Sequence, residues 1–225
     1  MGVILNLETA TTNCSVCIAR DGEILVLKED DTPNYSHSEQ LHVFIGECLE
    51  EVGLKTTDLD AVAVSKGPGS YTGLRIGVSA AKGLCYALNI PLIAIATLKS
   101  MAAQYTANKA DYIIPVLDAR RMEVYSAVFD KDLSEIRATT AQIIDEASFK
   151  DYYSNETIHI LGSGAEKIAA TLNHPNISYN LKTQPSSKQM AVLSYAKYSE
   201  NSFEDVAYFE PYYLKDFVIQ QKKKA

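Results

Sequence analysis

The chain has 225 residues, 47% of them hydrophobic, and a formal net charge of −7. That length fills one large core or two smaller ones, and the acidic balance argues against a broad face for nucleic acid backbone. Met1 to Glu8 carry no basic leader, and no run approaches the roughly 20 apolar residues of a membrane span, so the expectation is a soluble, intracellular protein.

Residues 2–8 read as a buried strand. Residues 14–20 and 23–29 follow as two more, and Asp21-Gly22 between them is a strong hairpin signal. Ser36 and Glu39 form a capping box ahead of Leu41, Phe44, Ile45, Cys48, Leu49 and Val52, which recur at helical spacing and end at Gly53. Residues 60–65 are a short buried strand. A helix is expected over about 73–88, a strand over 91–96 and another helix from about 98. Alternating strand and helix with short loops implies parallel pairing.

The second half repeats the grammar. Strands are expected at 112–118, 123–130 and 133–138, a helix at 145–152, and a strand at 157–161. Gly162-Ser163-Gly164 then turns into a helix, and a last helix covers 187–199. The order points to two related lobes meeting near residues 105–111, taken as 1–107 and 108–225, with the last segment packing back on the first lobe and QQKKKA as a frayed end.

The four cysteines include one CxxC, Cys14 and Cys17, on an expected strand. An offset of three sends its side chains to opposite faces. With no second CxxC to complete a zinc set, all four read as small hydrophobes in a reducing compartment.

Residues 66–77, KGPGSYTGLRIG, invite a phosphate-loop reading that fails. No glycine here is followed by Lys-Ser or Lys-Thr, and no third glycine completes a dinucleotide fingerprint. The stretch reads as strand, turn and helix, capped by Ser70 or Thr72. The helix remains unusual. Gly73, Gly77, Ala80, Ala81 and Gly83 leave it small-sided, and each interior glycine costs about 1 kcal/mol against alanine. Something approaches its backbone closely: the chain's own sheet, a ligand, or a helix of another chain.

Gly67-Pro68-Gly69-Ser70-Tyr71-Thr72-Gly73-Leu74-Arg75-Ile76-Gly77 resembles the signature of the TsaB family, also called YeaZ. Residues 4–19, His37-Ser38-Glu39, Asp118-Ala119-Arg120-Arg121-Met122-Glu123-Val124-Tyr125 and Pro211-Tyr212-Tyr213-Leu214-Lys215 are similar to further motifs of that family, in order. The likeness is dense over residues 3–125 and thinner beyond. It implies an α/β fold of the actin, sugar kinase and Hsp70 (ASKHA) type, two lobes each with a mixed five-stranded sheet. It also implies a non-catalytic companion of a TsaD-type subunit that makes threonylcarbamoyladenosine beside the tRNA anticodon, joined by a TsaE-type ATPase and meeting tRNA only indirectly. The pairing implied runs through the first two helices, and a homodimer through the same helices is the family's alternative. The expected interface is Leu41, Phe44, Ile45, Cys48, Gly73, Leu74, Gly77, Ala81 and Leu84.

A kinase or ATPase of this fold class has an Asp-x-Gly-Thr hairpin; here it reads Glu8-Thr9-Ala10-Thr11-Thr12. Ala10 replaces the glycine that lets backbone amides reach phosphate. Glu8, Thr9, Thr11, Gly162 and Gly164 are therefore candidates for a vestigial nucleotide site, with no resident cofactor and at most weak nucleotide binding. A small ASKHA ATPase or phosphotransferase is the alternative function, and a metallopeptidase a weaker third. For the last, His37 and His42 lie five residues apart, roughly 140° around a helix, and cannot chelate one ion. Asp118, Arg120 and Glu123 form either an acid-base set or a structural ion pair at a turn. Lys222 to Lys224 are a solubilising end or a contact to tRNA phosphates.

Overall fold

The computed structural model describes residues 2–32, 37–105 and 110–214. Ser36 of the expected capping box, the junction between residues 107 and 108, Lys215, and Lys222 to Lys224 lie outside them.

The chain opens as an antiparallel meander of β1 (Val3–Glu8), β2 (Cys14–Arg20) and β3 (Glu23–Asp30). Asp21 and Gly22 both take positive φ, 51° and 85°, the turn that matches strand twist in a two-residue hairpin. Next come α1 (His37–Glu51), β4 (Ala61–Gly67), α2 (Tyr71–Leu88), β5 (Leu92–Ala96) and α3 (Thr97–Ala102). The second half runs β6 (Tyr112–Asp118), β7 (Glu123–Asp130), β8 (Glu135–Ile143), α4 (Lys150–Tyr153), β9 (Ile158–Leu161), α5 (Ala165–Thr171), β10 (Ile177–Asn180) and α6 (Ser187–Ser199).

The first sheet has the order β3-β2-β1-β4-β5, and the second, read from its meander edge, β8-β7-β6-β9-β10. In each, three antiparallel strands precede two that join in parallel. This duplicated, two-lobed mixed-sheet architecture is the ASKHA type expected.

Helices α1 and α2 cover one face of the first sheet, over Leu5, Leu7, Val16, Ile18, Val62 and Val64. Helix α6 covers its other face through Met190 and Ala191 against Ile4, Ala63, Ile93 and Cys17. Cys14 and Cys17 therefore do serve opposite faces, and all four cysteines are free and buried. Helix α3 packs its Leu98 and Met101 on Ile113, Leu117 and Phe129 of the second sheet. Two buried polar contacts fasten α6 to the first sheet: Ser194 Oγ donates to Asn6 Oδ1 at 2.7 Å, and the Ser187 and Ser15 hydroxyls meet at 2.7 Å.

Three elements depart from expectation. The helix expected at 145–152 shrinks to one turn, because the Asp145 carboxylate accepts from the Ala147 amide and the Ser148 hydroxyl and so competes with helix formation. Strand β8 runs on to Ile143. Strand β10 was not expected: it has four residues at a sheet edge, too few for a periodic signal.

After α6 the chain crosses the first lobe. The Glu204 amide donates to the Leu92 carbonyl at 2.9 Å, Lys82 Nζ donates to the carbonyls of Ala207 and Phe209 at 3.1 and 2.8 Å, and the Tyr212 amide donates to the Lys66 carbonyl at 2.7 Å. Val206 and Phe209 pack on the core beneath α2.

The glycines of α2 divide into two kinds. A Cβ at Gly73 would overlap the Thr9 carbonyl oxygen, and one at Gly77 the Thr9 hydroxyl, whereas one at Gly83 meets nothing. Gly73→Ala and Gly77→Ala are expected to destabilise the fold by about 1–3 kcal/mol through overpacking. Gly83→Ala is expected to stabilise it by up to about 1 kcal/mol through helix propensity. Urea unfolding of the three variants checks both signs.

Candidate functional site

The β1–β2 hairpin, residues 8–13, is the point on which the helix starts converge. Thr9 Oγ1 donates to the Gly73 carbonyl at 2.8 Å and the Ser70 amide donates to the Ala10 carbonyl at 2.7 Å. Ser70 also caps α2, its hydroxyl accepting from the Gly73 amide at 3.3 Å. From α1, His37 Nε2 donates to the Thr11 carbonyl at 2.7 Å. Asn13 Nδ2 donates to the Pro185 carbonyl at 2.9 Å, just ahead of α6. Nothing in the sequence pattern announces the His37 contact.

This packing accounts for each candidate nucleotide residue. Glu8 is fully buried, and its Oε1 accepts the Ala10 amide at 2.7 Å, so a donor that phosphate would need is already used. Thr9 is locked under Gly73 and the Thr11 carbonyl is taken by His37. Gly162, at φ 115°, lies against the Val116 carbonyl, and Gly164 against Val124 and Leu117. Those two glycines serve close packing on β6 and β7.

Burial pushes the Glu8 carboxyl up to about 7, against the Ala10 hydrogen bond and looser contacts from the Ser65 hydroxyl and the Thr9 amide. Its Oε2 has no partner of hydrogen-bonding geometry among the described residues. Desolvation dominates because one good donor does not replace the water removed.

The expected partner face is corrected by the structure. Leu41, Ile45, Cys48, Leu74 and Ala81 are buried, and Gly73 and Gly77 press on Thr9, so this side of both helices faces the chain's own sheet and hairpin. Phe44 packs half-buried on the same core. The periodic apolar positions found the sheet, as an amphipathic stripe ordinarily does. Of the nine residues, Leu84 alone lines the outward groove.

That groove lies between α1 and α2 and encloses about 670 Å³. Ser38 and His42 line it from α1, and Tyr71, Thr72, Arg75, Ile76, Ser79, Ala80, Gly83 and Leu84 from α2. Its floor, Ile76, Ala80 and Leu84, packs on the core from above. Gly46 of α1 and Gly83 of α2 are exposed, with open space where a Cβ would stand. The sequence signal for this face was present in Ala80 and Gly83, but the buried glycines beside them have the same spacing.

The remaining candidates are structural. Asp118 Oδ1 accepts from Lys167 Nζ at 2.7 Å and from the Arg120 amide at 2.6 Å, so its ion pair is with Lys167 and not with the Arg120 side chain. Arg120 and Arg121 turn the β6–β7 hairpin at φ 70° and 51°. Among the described residues no three His, Cys, Asp or Glu side chains cluster closely enough to hold a metal. No helix among them is long and apolar enough to cross a membrane.

The raised Glu8 carboxyl sets a pH dependence. Between its ordinary value of 4.5 and about 7 the unfolded chain ionises while the folded chain keeps the proton. Stability therefore falls as pH rises through that window, by roughly 3 kcal/mol from this group, and is flat above it. Urea unfolding at several pH values is expected to show a smaller decline over pH 4.5–7 in Glu8→Gln than in the wild type; identical slopes contradict the assignment.

The model of the TsaD family, tRNA N6-adenosine threonylcarbamoyltransferase, matches residues 33–223. The tRNA threonylcarbamoyladenosine biosynthesis protein TsaB of Escherichia coli (strain K12) is 35% identical over 130 residues, covering 57% of this chain and 55% of the relative. The Haemophilus influenzae protein of the same name is 27% identical over 229 residues, covering 97% and 96%. The chain thus aligns with only about half the length of the E. coli relative and with nearly all of the H. influenzae one. The solved structure of YeaZ from Pseudomonas aeruginosa superposes with a TM-score of 0.80 at 23% identity, over 95% of this chain and 100% of that one. A second, described as an uncharacterized protein with similarity to peptidase YEAZ from the same organism, reaches 0.84 at 23% identity, over 96% and 100%. At that identity the superpositions speak for the fold, which agrees with the two sheets. With the TsaD family model matching residues 33–223, the chain belongs to that family, and the curated relatives it is similar to include several named TsaB.

Proposed function

We propose that this protein is a non-catalytic partner subunit in the synthesis of threonylcarbamoyladenosine next to the anticodon of tRNA, and that it supports a TsaD-type catalytic subunit through the outer faces of α1 and α2. It works in the cytoplasm, with a TsaE-type ATPase joining the complex and tRNA met through the partners. It carries no catalytic group and no resident nucleotide of its own. A second copy of the chain is the other occupant suited to the same face.

The observation that carries the reading is the pair of open glycines. Gly46 and Gly83 stand on exposed helix faces, with no atom of the described residues within 4 Å of where a Cβ would stand. Each costs about 1 kcal/mol in helix propensity that no contact among the described residues returns. A helix of another chain lying in the groove needs close backbones, and the small, apolar floor of Ile76, Ala80 and Leu84 suits such packing. The relatives' names supply the pathway. The match to the TsaD family model fits a pair of related folds meeting like face to like face. The occupied hairpin supports a companion over an ATPase, since the Ala10 amide is already donated to Glu8 Oε1.

The test is Gly83→Glu. Its thermal unfolding is expected to match that of the wild type, and its affinity for the purified TsaD-type subunit is expected to fall about 100-fold, as a buried unpaired charge costs about 3 kcal/mol. Calorimetric titration reads the loss, and unchanged affinity contradicts the proposal.

A further inference from the structure

Helix α6 covers the face of the first sheet opposite α1 and α2, and its C-terminal end borders a second cavity of about 420 Å³. Tyr195, Tyr198 and Phe203 line this cavity, with Asp60 from just before β4 and Pro91 from just before β5. We propose that it binds an organic cation the size of a lysine side chain, an ammonium group carried on a short alkyl chain. The site stands apart from the groove between α1 and α2 and does not depend on the partner reading.

Three observations converge on that ligand. The first is the aromatic wall. The rings of Tyr198 and Phe203 have centroids 6.0 Å apart and are tilted by 55°. Both tyrosines are braced by main chain from other elements. The Tyr198 ring lies 2.7 Å from where a Cβ of Gly2 would stand, and the Tyr195 ring 3.5 Å from the corresponding point at Gly22. Rings already held in place lose little freedom when a ligand arrives, and aromatic faces attract ammonium groups.

The second is charge of one sign. Asp60 Oδ2 accepts the Val3 amide at 2.7 Å, and among the described residues its Oδ1 accepts no hydrogen bond and no ion pair engages it. Asp21 stands close by, its Oδ1 accepting the Gly2 amide at 2.7 Å. Both carboxylates are near enough to act on the Tyr198 phenol, which burial first and then Asp60 and Asp21 hold above its ordinary value. No lysine, arginine or histidine among the described residues lines the cavity.

The third is the helix end. Helix α6 runs for 13 residues to Ser199, which lines the cavity. Asn201, at φ 54°, turns the chain so that the Asn201 and Ser202 amides donate to the Tyr198 and Lys197 carbonyls at 3.1 and 2.9 Å. The carbonyl end of a helix is the negative end of its dipole and favours a cation. Lys197 is the basic residue of that last turn, but its Nζ donates to the Ala94 carbonyl of β5 at 3.0 Å. Its charge is committed to the sheet edge, and the cavity keeps its own negative field.

The test is a chemical-shift titration of the isotope-labelled full chain with butylammonium. The amides of Asp60, Ser199, Asn201 and Phe203 are expected to move and to saturate with an affinity of about 1 mM, while uncharged 1-butanol leaves them in place. Asp60→Asn keeps an acceptor for the Val3 amide and is expected to weaken binding about fivefold. Phe203 is 39% exposed, so Phe203→Leu leaves the fold intact; it removes the ring but not the apolar bulk, and is expected to weaken binding about threefold. A blocked lysine, N-acetyl-lysine-N-methylamide, distinguishes the sources of the cation. Affinity equal to that of butylammonium assigns a lysine side chain of another protein, and affinity about tenfold weaker assigns a free amine; either result keeps the site. No shift with butylammonium overturns the proposal, as does an equal response to butanol or unchanged affinity in either variant.

Discussion

The contact between Thr9 and α2 is the constraint from which the first lobe is built. Gly73 and Gly77 let the helix backbone descend onto the β1–β2 hairpin until the Thr9 hydroxyl reaches the Gly73 carbonyl. Any Cβ at either position would lift the helix from the sheet. Because β1 is the central strand of its sheet, the same contact fixes α2 over β4 and places the start of α1 through His37. The α6 side is tied in through Asn13 and Ser15. A small hairpin thus sets the relative positions of three helices by short polar contacts, buried for α2 and α6 and partly buried for α1, of the kind that specify one arrangement.

That use of the hairpin has a chemical consequence. A phosphate-binding hairpin must leave amides pointing into a cleft, free of internal partners. Here Ala10 points its amide at Glu8, and the start of α2 packs on the hairpin through Gly69 and Gly73. Glu8 is left fully buried with one oxygen in a good hydrogen bond and only looser contacts besides, and burial pushes its carboxyl up to about 7. A group so placed is suited to packing, and its carboxylate is far from the solvated state that magnesium binding requires.

Much of this architecture was legible in the residues. The Asp21-Gly22 turn, the alternation of strand and helix and the cap at Ser70 are local signals with local causes. The repeated order of elements gave the two lobes without any residue-level repeat. What did not read through was direction. Gly73 and Gly77 share a spacing with Gly83 and Ala80, and helical periodicity ranks both faces as small. Only the position of Thr9, sixty-odd residues away in the chain, distinguishes the buried face from the open one. The same holds for His37, whose partner is a carbonyl from a distant turn, and for Asp118, which pairs with Lys167 instead of its neighbour in the motif. Contacts fixed by tertiary structure leave no periodic trace.

The role proposed for the open face of α1 and α2 is in tRNA modification. Its most direct measurement is the threonylcarbamoyladenosine content of bulk tRNA, by mass spectrometry, in cells depleted of this protein and supplied with either the wild-type chain or an Ala80→Glu copy present at equal level. Depletion is expected to lower the modified nucleoside, the wild-type chain to restore it, and Ala80→Glu to fail to do so. Unchanged content after depletion would contradict the pathway, and full restoration by Ala80→Glu would contradict the face.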